Sequence, residues 1–148
     1  MNDISKLYEV YVSKELQTLK NELLNTQRLN QKILSFIHDL AEVSLDSRVY
    51  LFWEKEDQVD RPQLMEHYFE GLTMLMSIGY ELRIDTIKNH TEIPEHCKID
   101  ELFFKIYHSI LDVQSHFSSE AYQNTIDDYF ALGFALGIQI DDILDHYE

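Results

Sequence analysis

Apolar positions recur every three or four residues along nearly the whole chain, the period of an amphipathic helix. Ile4, Leu7, Tyr8, Tyr11, Leu16 and Leu19 define a first stripe, with Asn2 or Asp3 placed to cap it. The polar stretch 21–30 predicts a break or a bend. Ile33, Phe36, Ile37 and Leu40 mark one face of a second helix that runs to about Arg48. Val49 to Trp53 either ends that helix or forms a short packed segment, and Glu54 to Asp60 reads as a charged loop. Asp60-Arg61-Pro62 then opens a third helix, because an Asp side chain satisfies free N–H groups and Pro is tolerated in the first turn. Its stripe is Leu64, Tyr68, Leu72, Leu75, Met76 and Gly79. The mixed segment from Ile84 to Asp100, with Pro94 inside it, reads as a long connection. Asp100 is placed to cap a fourth helix carrying Leu102, Phe103, Ile106, Tyr107, Ile110 and Leu111. Ser118 or Ser119 is placed to cap a fifth, with Tyr122, Ile126, Tyr129, Phe130 and Leu136, and Gly137 is a natural stop for it. Asp141 and Asp142 favour a short last helix by complementing its dipole. The pattern predicts an all-α bundle of five to six helices, one domain over residues 1–148.

Composition narrows the class. Four Gly and two Pro are too few for the many turns of a β-sandwich or barrel. Hydrophobic residues make up 45 % of the chain, which excludes a disordered acidic tail. No apolar run approaches the roughly 20 residues of a membrane span, and Met1 to Lys6 lacks the basic-then-apolar order of a secretory signal. The single cysteine, Cys97, has no internal partner for a disulfide, so a cytoplasmic location is expected. The net charge of −15 repels nucleic acid polymers and anionic membranes, and it would repel a nucleotide unless cations intervene.

The acidic residues are not spread evenly. Asp39 and Glu42 lie three apart on the second helix, and Asp46 extends their row by a turn. Glu66 and Glu70 lie four apart on the third. Phe36, Ile37 and Leu40 put the neighbouring face in the core, so the first row borders the buried side of its helix. If the two helices pack antiparallel, the rows face each other across a groove. Hard carboxylate oxygens there suit Mg²⁺, which retains waters and favours phosphate as a co-ligand. The same spacing also occurs on plain solvated helix faces.

The order of segments adds to this reading. Lys32-Ile33-Leu34, Asp39-Leu40-Ala41-Glu42, Arg48, Phe52-Trp53-Glu54-Lys55, Met65-Glu66-His67-Tyr68-Phe69-Glu70 and Leu75-Met76-Ser77-Ile78-Gly79 follow one another in a way that resembles the all-α dimeric dUTPases, within the wider MazG-type nucleoside triphosphate pyrophosphohydrolases. Tyr129 to Gly137 and Asp141 to Tyr147 resemble that family's last two helices. The resemblance implies a MazG/dimeric-dUTPase-like fold, a homodimer, and Mg²⁺-dependent hydrolysis of dUTP to dUMP and pyrophosphate. It also implies a metal site on the pattern E-x-x-E followed by E-x-x-D. On this chain that site falls on Asp39, Glu42, His67 and Glu70, with Glu66 one position before His67. Asp46 matches a further acidic position. Glu42 and Lys55 become the catalytic candidates, Lys55 as a phosphate contact, and Trp53 with Lys55 the nucleotide-binding pair.

Departures from the pattern carry their own chemistry. Asp39 replaces Glu and Glu70 replaces Asp, so one side chain is a methylene shorter and the other longer. His67 replaces a carboxylate, and imidazole suits Mn²⁺ or softer ions better than Mg²⁺. Tyr11 or Ser13 stands where the family carries an amide that reads uracil. These differences leave a second reading open, a non-catalytic protein of the same fold that binds a nucleotide or a protein partner. His90, His96 and Cys97 form a further cluster with soft-metal ligand types but only three donors, and His38 sits one helical turn from Glu42.

Overall fold

The computed structural model describes residues 4–18, 25–50, 59–88 and 98–147, without the side chains of 14–18. These residues form six α-helices: α1 (Ile4–Thr18), α2 (Thr26–Ser47), α3 (Arg61–Glu81), α4 (Ile99–His116), α5 (Ser119–Ala135) and α6 (Ile140–Tyr147). No strand occurs among them, so the all-α bundle predicted from the apolar period is the fold of the chain. The expected caps at Asn2 and Asp3 fall outside the described residues.

Most helix ends follow the local chemistry. Asp60 accepts a hydrogen bond from the Gln63 N–H at 3.2 Å, and Pro62 sits in the first turn of α3. Ser118 accepts from the Ala121 N–H at 3.2 Å and starts α5. Gly137, at φ +83°, ends the turn after α5 in the left-handed region that favours glycine. Two boundaries differ from the sequence reading. α2 begins at Thr26, because Asn25 accepts from the Arg28 N–H at 2.9 Å; the polar run that suggested a bend supplies a cap and a first turn. α4 begins at Ile99 rather than after Asp100, with the Glu101 carboxylate accepting from the Lys98 N–H at 3.4 Å and both acids in the first turn.

α2 and α3 lie antiparallel along each other. Asp46 meets Gln63 and His67 at one end, and Arg28 and Lys32 meet Glu81 at the other. α4 and α5 form a second antiparallel pair joined by Phe117 and Ser118, with Phe117 in the left-handed region. The core between them is aliphatic and tyrosine-rich, with Phe36, Leu40, Tyr68, Leu72, Leu75, Ile106, Tyr122 and Tyr129 all buried.

Tyrosines join the layers. Tyr68 donates to the Tyr129 carbonyl at 3.0 Å and Tyr129 donates to the Tyr68 carbonyl at 2.6 Å, with the rings stacked 4.5 Å apart. A Cβ at Gly71 would overlap the Tyr129 hydroxyl, and one at Gly133 the Tyr68 hydroxyl, so these helix-interior glycines make the close approach possible. Tyr122 donates to the Leu75 carbonyl and Tyr8 to the Ile84 carbonyl, both at 2.7 Å, which ties α5 and α1 to α3 and the turn after it. Arg61, at the start of α3, donates to the carbonyls of Leu136 at 3.0 Å and Gly137 at 2.7 Å, fixing the turn from which α6 departs.

Candidate active site

The antiparallel packing of α2 on α3 decides which acidic side chains meet. Asp39, Glu66 and Glu70 line one open cavity of about 510 Å³ together with Ser35, Phe69, Thr73, Met74 and His146. Asp39 is partly buried among these acids. Burial raises its carboxyl above the usual carboxylate range, and the charge of Glu70 across the helix pair raises it further. Glu42 pushes the same way, while His38 and His67 push back. A cation between Asp39 and Glu70 would relieve that repulsion.

Glu42, Asp46 and His67 gather beside this cavity. His67 Nδ1 hydrogen-bonds the Asp46 carboxylate and lies 3.9 Å from a Glu42 oxygen. Asp46 also accepts from the Gln63 side chain at 3.2 Å. His38 Nε2 lies 3.3 Å from the other Glu42 oxygen, one helical turn earlier. The Asp46 hydrogen bond raises the His67 pKa above its ordinary value; partial burial works against it, and the charges of Asp46, Glu42 and Glu70 add to the rise. His67 thus offers Nε2, not Nδ1, to any ligand. Among the described residues, no three His, Cys, Asp or Glu side chains stand arranged to hold a metal ion. The donors are all carboxylate oxygens and one imidazole nitrogen, a set that fits Mg²⁺ or Mn²⁺ in type.

The chain matches the family model described as dUTPase over residues 3–148. It belongs to the dUTPase family. No curated protein and no solved structure shows a significant match to it. Asp39 and Glu42, expected from the resemblance as the first metal pair, stand on α2, and His67 and Glu70, expected as the second, stand on α3. Trp53 and Lys55, the expected dUTPase-type nucleotide contacts, lie outside the described residues, as do His90, His96 and Cys97. Tyr11 lines a separate cavity of about 290 Å³ with Val12, Lys32, Ser77 and Tyr80, whereas Ser13 is exposed and bonded to the Val10 carbonyl at 3.4 Å.

Sequence reasoning missed the Asp46–His67 bond and the contribution of α6. The first was within reach, since Asp46 and His67 were each singled out and only the helix register was lacking. His146 gave no local signal, because α6 reaches the cavity through tertiary packing. No helix among the described residues is long and apolar enough to cross a membrane.

Proposed function

We propose that this chain is a metal-dependent nucleotide pyrophosphohydrolase that converts dUTP to dUMP and pyrophosphate. What supports this reading is the pairing of α2 with α3 in a dUTPase family member, which brings Asp39, Glu66 and Glu70 to one cavity, with Glu42 one helical turn from Asp39. Asp39, Glu42, Glu66 and Glu70 would supply oxygens to Mg²⁺, and His67 a nitrogen that shifts preference toward Mn²⁺. The ion supplies charge neutralisation for the triphosphate. Glu42 accepts the proton of a water that attacks the α-phosphorus; the bond from that phosphorus to the β-phosphate bridging oxygen breaks and pyrophosphate leaves. His38 and His67 flank the Glu42 carboxylate, at 3.3 Å and 3.9 Å. Lys55 engages the phosphates and Trp53 stacks on the base. A cytoplasmic homodimer belongs to the same reading: α4 leaves Phe104 and Leu111 on one face, 65 % and 51 % exposed, which suits a second copy.

One observation favours the rival reading, a non-catalytic protein that retains the fold. His67, engaged by Asp46, stands where the resemblance expects a carboxylate. Pyrophosphate release from dUTP, dCTP, dTTP and dATP, each with Mg²⁺ and with Mn²⁺, separates the two. Turnover of dUTP that is lost in Glu42→Ala and Glu70→Ala is expected. No turnover in any combination, with no thermal shift from metal plus a non-hydrolysable nucleotide, would overturn the enzyme reading.

A further inference from the structure

We propose that His146 is a substrate-contacting residue of the acidic cavity, donating a hydrogen bond to the phosphate chain of a bound nucleotide. This rests on the nucleotide reading above and adds a residue that the α2–α3 pattern does not contain.

The geometry comes from α6. Tyr147 donates its hydroxyl hydrogen to the Phe69 carbonyl at 3.1 Å, so its 2.7 Å bond to Thr73 must have the Thr73 hydroxyl as donor. Burial raises the Tyr147 hydroxyl to about 12, with the Thr73 bond working against it and Tyr11 adding to it, so the phenol stays protonated and keeps donating. The ring of Tyr11 meets Tyr147 edge-on at 5.9 Å. These contacts fix the last turn of α6 on α3, one turn from Glu70.

His146 is placed by that anchor. Its imidazole lies flat on Phe69, 4.1 Å between centroids and 9° between planes. One ring face is covered, yet the side chain is exposed and lines the cavity of Asp39, Glu66 and Glu70. The other lining side chains are carboxylates, the hydroxyls of Ser35 and Thr73, and the apolar Phe69 and Met74. His146 is therefore the nitrogen donor of the lining. A polyphosphate entering beside three acids needs hydrogen-bond donors as well as a cation, and an N–H held in a fixed plane meets that need at low entropic cost. Packing alone would not call for a nitrogen, since any flat ring could cover Phe69.

His146→Phe tests this on the full chain, because it keeps a ring on Phe69 and removes the N–H. Titration calorimetry with the α,β-imido analogue of dUTP and Mn²⁺ should show affinity falling about tenfold, the size of one hydrogen bond to a charged group. Mn²⁺ binding without nucleotide and the melting temperature should stay at wild-type values, and His146→Asn should recover part of the loss. Wild-type nucleotide affinity in His146→Phe would overturn the assignment and leave the nucleotide reading standing. Loss of Mn²⁺ binding or of melting temperature in that variant would make His146 a structural residue and overturn it too. Failure of the wild-type protein to bind the analogue would overturn both.

Discussion

Tyr68 and Tyr129 each donate to the carbonyl of the other, across the contact of α3 with α5. The exchange satisfies two buried hydroxyls, and each helix repeats the geometry with a glycine, Gly71 facing Tyr129 and Gly133 facing Tyr68. Gly133→Ala must push Tyr68 aside, so it should cost about 1–3 kcal/mol in urea unfolding, the range of overpacked cores. Tyr129→Phe removes one bond and should cost about 1 kcal/mol. Tyr68→Phe should behave alike, and the double variant should cost less than the sum, because the two share one contact.

Glu81 is fully buried and takes both Arg28 and Lys32, the latter at 2.9 Å. Burial pushes its pKa up, but the hydrogen bonds and charges of Arg28 and Lys32 outweigh this and hold it below the usual carboxylate range. A depressed carboxyl stabilises the fold above its unfolded pKa, about 4.3 for Glu, and that stability is lost as pH falls through the lower folded value. Glu81→Gln should flatten this acid limb in melts run from neutral pH downward. At neutral pH Glu81→Ala should cost about 2–3 kcal/mol, under the value for a sealed ion pair because Arg28 and Lys32 keep some water.

His67 partners Asp46 with both largely shielded, so the pair resists simple charge swaps. His67→Glu restores the family's carboxylate but sets it against Asp46, Glu42 and Glu70. Without metal the variant should lose about 1–3 kcal/mol, the range for a charge-assisted hydrogen bond. With Mg²⁺ the melting temperature should recover more than in the wild type. A variant as stable as wild type in chelator would show that the Asp46 bond contributes little.

Phe104 and Leu111 lie two helical turns apart on the outer side of α4. Phe104→Asp with Leu111→Asp should shift the light-scattering mass from dimer to monomer while helical circular dichroism stays unchanged. A wild-type mass of one chain would overturn the proposed dimer, and a dimeric mass kept in the double variant would rule out this face as its contact.

The helices were legible because apolar spacing, Asp60, Ser118 and Gly137 act locally, and local signals survive without neighbours. The acidic rows were legible for the same reason. The start of α2 was not, since a polar run can be either a break or an exposed first turn, and only the Asn25 bond to Arg28 decides it. Arg28 with Glu81 and Tyr68 with Tyr129 lie 53 and 61 residues apart, where periodicity says nothing. Gly71 and Gly133 did carry a hint: a glycine inside a helix lowers its stability, so its presence marks a place where another group comes near.

Arg61 is not among the residues that line the acidic cavity, yet its guanidinium grips Leu136 and Gly137, the turn from which α6 departs. The eight residues of α6 extend about 12 Å from that grip. They act as a lever: a few degrees of swing at the pivot becomes an ångström or more at the tip, where His146 and Tyr147 are. The clasp at the start of α3 thus helps set the aim of an imidazole that rests on Phe69, about two helical turns further along that helix.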